Sequence, residues 1–269
     1  MSINITSWNG RLGNNITQVV NAIIFANYFN INKINYPNHN IIKNNQIILN
    51  NLNPNNITLN KIYHHNFFSR KKICEHFNID ENIFKNIFEN NLDLYSILNN
   101  IININSDSLN LKDNDLVIHI RSGDVYSTIP HSGWIQPPLS FYDKIINEYN
   151  WGNIYLICED TKSPVIKPLL NKYNNIIFNL QSLNNDIQYI VQAKNICFGM
   201  GSFIPSLLLL NTNLNNIYYP LYCERYLIDI IKYNNKTIYD LPTYIKKGEW
   251  MNTPEQKKIM LEYNNIKTL

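Results

Sequence analysis

DLVIHIRSGD, residues 115–124, sets the reading of the whole chain. Its first six residues form a near-continuous apolar run, the pattern of a strand buried on both faces of a parallel sheet. Arg121-Ser122-Gly123-Asp124 then closes that strand with a glycine turn. Downstream, the same pattern recurs. Residues 138–149 read as a helix, 153–158 as a strand, and 163–173 as a helix carrying Pro168 inside it. A strand at 175–179, a helix at 185–193, a strand at 195–199, a helix at 202–211 and a strand at 216–220 follow. Short strands alternating with helices of about a dozen residues define an open parallel α/β sheet.

Upstream, residues 2–8 (SINITSW) suit a strand, followed by a glycine-bearing turn at 9–13. Residues 14–29 repeat apolar side chains at Ile16, Val19, Val20, Ile23, Ile24 and Tyr28, the spacing of an amphipathic helix. KINY (33–36), QIIL (46–49) and ITL (57–59) read as short strands. Residues 69–100 read as helical, with Asp80 capping ENIFKNIF (81–88). The Asn-rich stretch 99–114 loses apolar periodicity and reads as a linker. The expected architecture is therefore α/β with two Rossmann-like domains, 1–110 and 111–269. A C-terminal helix at 254–263 could pack on either.

Composition narrows the function classes. The chain has 269 residues, 45% hydrophobic and 16% charged, with a net charge of +3. Lys far outnumbers Arg, which occurs only at positions 11, 70, 121 and 225. So mild a charge gives no reason to expect a nucleic-acid partner. Cys74, Cys158, Cys197 and Cys223 show no CxxC pairing and read as reduced packing thiols of a cytoplasmic protein. No run of 18 apolar residues exists, so no membrane span is expected. Structure already begins at Ser2, so no secretory leader is expected either.

In open α/β sheets, ligands bind beyond the carboxyl ends of strands. Three loops there carry unusual residues. Gly10-Arg11-Leu12-Gly13-Asn14 pairs two glycines with two donors at a helix start; by itself such a pattern is more often just a turn. His119 and Arg121 share one face of their strand, with Ile120 on the other. A guanidinium there needs a partner: either a phosphate, whose oxygens match its fork of donors, or Asp124 across the turn. Gly199-Met200-Gly201-Ser202-Phe203 brings a hydroxyl and backbone N–H groups to a helix start, an anion cradle or a plain Ser cap.

Taken in order, GRLGN before an amphipathic helix, HIRSGD closing a strand and Ser-Phe opening a late helix resemble the fucosyltransferase superfamily. The α1,2-type enzymes, with GRxGNQ and HVRRGD motifs, look nearest. DIQYIVQAKNICFGMGSF (186–203) is also similar to the α1,6-type segment in which an Asp and a Ser, sixteen residues apart, contact the nucleotide. Asp186 and Ser202 have that separation here. The likeness covers most of 1–30 and 115–215 and little of 31–110.

The resemblance implies a GT-B-like pair of Rossmann-like domains facing a cleft, and an inverting transfer of fucose from GDP-fucose to a glycan acceptor. It implies no cofactor and no metal ion. Arg121 would bind the β-phosphate and stabilise departing GDP, with His119 beside the nucleotide. Asp186 would accept from the guanine edge, and Ser202 and the N–H groups near Phe203 would hold phosphate oxygens. Gly10, Arg11, Gly13 and Asn14 would close over the diphosphate and sugar from the first domain. Asp124 would orient its turn. His131, Glu159 and Asp160 lie in loops at the same end, and none is singled out as the base. The chain departs from the family at Ser122, where a second Arg is usual, at Ile204-Pro205, where two Trp often stand, and at Asn15, where Gln is usual. A rhamnose or mannose donor, or a catalytically silent glycan- or nucleotide-binding module, are the alternatives.

Overall fold

A computed structural model of the chain describes residues 1–50, 62–80, 93–104, 108–223 and 226–269. The chain divides into two compact units, Met1–Asn105 and Ser106–Leu269.

In the first unit, β1 (Ser2–Ile5) runs parallel to both β2 (Lys33–Asn35) and β4 (Ile62–His65), and β3 (Gln46–Ile48) joins β2 antiparallel. The sheet order is β3-β2-β1-β4. Helix Leu12–Tyr28 follows β1 through the glycine turn, and its apolar stripe from Ile16 to Phe25 is fully buried. Phe25 packs with Phe29, Tyr63, Phe67 and Phe77, joining that helix to β4 and to helix Arg70–Phe77. Ser69 caps the latter helix, accepting from Lys72 N. Asn78, in the left-handed region at φ 52°, ends it. Helix Leu94–Ile101 opens on Asp93, which accepts from Ser96 N at 3.1 Å. Residues 99–101, expected to start the linker, thus complete a helix. The expected strand ITL and helix ENIFKNIF lie outside the described residues.

The second unit carries seven strands in the order β11-β10-β9-β8-β5-β6-β7. These are β5 (Leu116–His119), β6 (Ile154–Ile157), β7 (Ile176–Phe178), β8 (Asn195–Phe198), β9 (Asn216–Pro220), β10 (Asn235–Asp240) and β11 (Lys267–Thr268). All pairs are parallel except β10 with β11. Counting from β5, the six parallel strands run 3-2-1-4-5-6, the doubly wound order of a Rossmann-like α/β unit. Its topological switch point falls between β5 and β8.

Alternation divides β5 between two layers. Leu116, Ile118 and Ile120 enter a core with Ile154, Leu156, Phe141, Tyr142 and Trp250. Val117, His119 and Arg121 belong to the opposite face. Pro168 is the third residue of helix Ile166–Lys172, where its missing N–H had no intrahelical partner to lose, so the helix stands. Helix Pro254–Glu262, capped by Thr253, packs on helix Leu139–Glu148 and buries Met260, so it belongs to the second unit. Strands β10 and β11 were not expected from sequence. β10 buries only Tyr239 and is defined by its backbone pairing with β9. Among the described residues, no helix is long and apolar enough to cross a membrane.

Candidate functional site

The second unit brings His119, Arg121, Asp124 and the Gly201–Phe203 turn together beside the switch point, while Asp186 lies on the helix after β7. His119 pairs in register with Phe198 of β8 and with Ile157 of β6. Arg121, two residues on, therefore leaves the end of the central strand on the same face. Its guanidinium is held from several sides. Nη2 lies 3.2 Å from Asp124 Oδ1 and 3.3 Å from Oδ2. The guanidinium carbon lies 4.5 Å from the centre of the Trp134 ring, a cation–π contact. A Cβ on Gly201, were there one, would stand 3.3 Å from Nη1. Gly201 sits at φ +151°, a region that side chains rarely enter, so glycine both permits the turn and lets it approach the cation. Nε is buried with no hydrogen-bond partner among the described residues. The side chain is 18% exposed. The internal pair with Asp124 is thus present, and it engages one of the three nitrogens.

His119 is half-buried with its ring 5.6 Å from that of Phe203. Burial first, then the adjacent Arg121 charge, lower its pKa to about 3, so the imidazole is neutral at physiological pH. Ser202 precedes helix Phe203–Leu208 without a side-chain capping bond, and its carbonyl accepts from Ser206 N. The plain-cap reading of Ser202 is therefore not what the structure has. Asp124 is the second residue of the short 3₁₀ turn Gly123–Tyr126.

Trp134 and Gln136 were missed in the sequence, where the sole signal is a Trp in the loop HSGWIQPP (131–138). Their loop is braced from far along the chain. Ser132 O accepts from Gly248 N and Trp250 N, and Tyr244 donates its hydroxyl to Gln136 O at 3.0 Å. Gln136 Nε2 reaches Trp134 O and Met200 O, tying this loop to the 199–201 turn. His131 stacks on Trp134 at 4.9 Å, and its Nδ1 accepts from Gly133 N.

Ser122, the residue after Arg121, is fully buried. Its hydroxyl donates to Asp160 and accepts from Ser163 N. Asp160 also accepts from Gly123 N at 3.2 Å and Lys162 N at 3.0 Å, and pairs with the Lys162 ammonium. Burial works against its charged form, yet these hydrogen bonds prevail and hold the carboxyl at about 2. So firmly ionised a group is a poor proton acceptor.

Asp186 lies in the first turn of helix Leu183–Gln192, capped by Ser182. Burial raises its carboxyl to about 7. Its charge reaches the buried Cys158 thiol at the end of β6, which burial first, then Asp186 and Asp160, push up to about 12.

Gly10, Arg11, Gly13 and Asn14 belong to the first unit. Arg11 is the extended residue before helix Leu12–Tyr28, and its carbonyl accepts from Asn14 N and Asn15 N. The Asn14 side chain folds against Gly10. Gln18, fully buried, pins the turn: Nε2 donates to Ser7 O at 2.8 Å and to Asn66 O, while Oε1 accepts from Asn9 N at 2.8 Å. Asn15 donates to Asn9 O, so the shorter amide serves the turn itself. A groove of about 400 Å³ in this unit, lined by Asn27, Gln46, Asp93, Ser96 and Asn100 among others, includes none of the glycine-turn residues. Among the described residues, no group of three or more His, Cys, Asp or Glu is arranged to hold a metal ion.

No family model, curated protein or solved structure matches the chain.

Proposed function

We propose that this chain is an inverting glycosyltransferase similar to the α1,2-type members of the fucosyltransferase superfamily. Its second unit binds GDP-fucose, and its two α/β units are the two halves of a GT-B enzyme. The observation that carries this reading is Arg121: a guanidinium at the carboxyl end of the central strand, beside the switch point, with one nitrogen paired and a glycine backbone against another.

In the transfer, an acceptor hydroxyl attacks the anomeric carbon as the bond from that carbon to the β-phosphate oxygen breaks. The hydroxyl proton passes to solvent or to the departing diphosphate. Negative charge grows on the departing diphosphate, and Arg121 takes it up from a fixed position. Stabilisation of that kind is worth most when donors are set before the charge develops. Neutral His119 lines the nucleotide beside it without adding charge. Asp186, when ionised, accepts from the guanine edge. The Gly199–Phe203 turn contributes the Ser202 hydroxyl and N–H groups to phosphate oxygens. The acceptor is a glycan. The transfer calls for no metal ion.

The Arg121–Asp124 pair favours a second reading, a silent nucleotide- or glycan-binding module in which the cation serves the turn. Thermal-shift titration with GDP, UDP, dTDP and their sugars tests both. A ligand at a hundred times its dissociation constant adds about 2.7 kcal/mol of stability. Guanine nucleotides should raise the melting temperature most, and GDP-fucose should be turned over. A response confined to another base reassigns the donor. Binding without turnover of any nucleotide sugar supports the silent module, and no response at all removes the nucleotide reading.

A further inference from the structure

We infer that Trp250 is a positioning residue for the donor site. It joins the two loops that grip Arg121 and so sets the direction in which the guanidinium meets phosphate. Its effect on phosphate rests on the nucleotide reading of the second unit.

Arg121 is gripped from two places. Asp124, on the Gly123–Tyr126 turn, pairs with Nη2, and Trp134, on the 131–136 loop, meets the face of the guanidinium. Trp250 bonds to both segments. Its indole Nε1–H donates at 2.8 Å to the carbonyl of Val125, the residue after Asp124. Its backbone N–H donates at 3.1 Å to Ser132 O, two residues before Trp134. The ring is fully buried and meets the Tyr126 ring edge-on at 5.7 Å. Its neighbours repeat the pattern: Gly248 N also donates to Ser132 O, and Asn252 Nδ2 donates to Ser127 O at 2.9 Å. Residues 248–252 thus strap the turn to the loop.

The strap has a set shape of its own. It bends at Gly248, φ +101°, and at Asn252, φ 57°, backbone that glycine enters freely and asparagine tolerates. Gln256, in the first turn of helix Pro254–Glu262, clips it on either side of Trp250. Oε1 accepts from Met251 N at 2.7 Å, and Nε2 donates to Glu249 O at 2.6 Å.

The consequence is preorganisation. A guanidinium that must set two donors on a diphosphate binds more tightly when its rotamer is fixed beforehand. Asp124 and Trp134 can fix one rotamer only while their own separation is constant, and Trp250 holds that separation. A second tryptophan of the same unit provides the contrast. Trp151 donates its Nε1–H to Ile145 O at 3.0 Å and packs on the same core. It precedes β6, at the end of the parallel sheet opposite Arg121.

The test takes two readings on the full chain, as wild type, Trp250→Phe, Gln256→Leu and Trp151→Phe. Proton–nitrogen NMR follows the Arg121 Nε–H, a buried group among four arginines, identified by its loss in Arg121→Lys and displaced by the Trp134 ring current. Calorimetry gives the affinities for pyrophosphate and GDP. Trp250→Phe keeps the ring and loses the bond to Val125. It should move the Arg121 resonance toward those of the other arginines and weaken both ligands about two- to tenfold, the weight of one hydrogen bond. Gln256→Leu should act in the same direction, and it carries the test if Trp250→Phe does not fold. Trp151→Phe should lower the denaturant midpoint and move neither reading. An Arg121 resonance that Trp250→Phe and Gln256→Leu leave in place overturns the positioning role, whether or not nucleotide binds. So does undiminished pyrophosphate affinity, or an equal loss in Trp151→Phe. Wild-type protein that binds neither ligand overturns the donor role together with the nucleotide reading.

Discussion

The Arg121 guanidinium lies 4.5 Å from the centre of the Trp134 ring while its Nη2 holds Asp124 at 3.2 Å. Two restraints at different angles fix a long side chain that would otherwise sample many rotamers. The entropy of ordering it is then lost on folding and not again on binding. The remaining donors keep a set direction toward the glycine turn at 201.

Removing the platform should loosen the fork. Trp134→Ala should weaken pyrophosphate and GDP binding about three- to thirtyfold, the range of a partly desolvated cation–π contact. Trp134→Phe should recover most of it, since the ring face persists. Pyrophosphate should also change the indole fluorescence of wild type and lose most of that effect in Trp134→Phe. Undiminished affinity in Trp134→Ala would show that the ring plays no part.

Arg121→Ala should cut turnover of the nucleotide sugar by two orders of magnitude or more, as losing a donor to developing charge does elsewhere. Stability should change by about 1 kcal/mol or less, because the Asp124 pair is partly exposed and screened by solvent. Arg121→Lys should recover less than tenfold: an ammonium cannot stack on Trp134, hold Asp124 and span two phosphate oxygens together. Full turnover in Arg121→Ala with a lowered melting temperature would instead make the cation a structural member of its turn.

The strands of the second unit were legible because burial on both faces wrote itself into the sequence. β9 occupies the residues its apolar run predicts, and β5, β6 and β8 fall within theirs. β10 was illegible for the converse reason. Asn235-Lys236-Thr237-Ile238-Tyr239-Asp240 buries one side chain, so its place depends on a partner strand that local pattern does not encode. The candidate site divides in the same way. His119 and Arg121 could be assigned to one face from alternation alone. Trp134 could not be placed beside them, since its loop is positioned by Tyr244 and by the 248–250 backbone, more than a hundred residues on. Nor did spacing show that Ser122 turns inward to Asp160, or choose between an anion and Asp124 for Arg121.

Asp186 should make stability and nucleotide binding depend on pH in opposite ways. Its folded pKa of about 7 lies above the ordinary carboxylate value of 3.8, because burial disfavours the charge. Between those values the folded chain binds more protons than the unfolded one, so this group's contribution to stability falls as pH rises from 4 to 7 and then levels. Asp186→Asn should remove that slope in denaturant midpoints measured across the range. If the carboxylate accepts from guanine, binding needs the ionised form, so GDP affinity should fall toward tenfold per unit below pH 7. In GDP binding by the folded chain, His119 at about 3 and Asp160 at about 2 do not titrate in that range. In stability, His119 adds an opposite rise between about pH 3 and 6.5, shared by wild type and Asp186→Asn. Equal pH profiles for GDP and pyrophosphate would remove Asp186 from base recognition.

Gln18 tests the first unit. Its amide satisfies two carbonyls, Ser7 and Asn66, and one N–H, Asn9, from a fully buried position on helix Leu12–Tyr28. Gln18→Ala strands those groups and should lower stability by about 2–4 kcal/mol, read as a shift in denaturant midpoint. Gln18→Glu should be worse at pH 7. A carboxylate can still accept from Asn9 but faces two carbonyl oxygens with no proton to donate, and its charge is buried. A Gln18→Glu protein as stable as Gln18→Ala would mean that the two carbonyls, and not the amide, set the geometry of that turn.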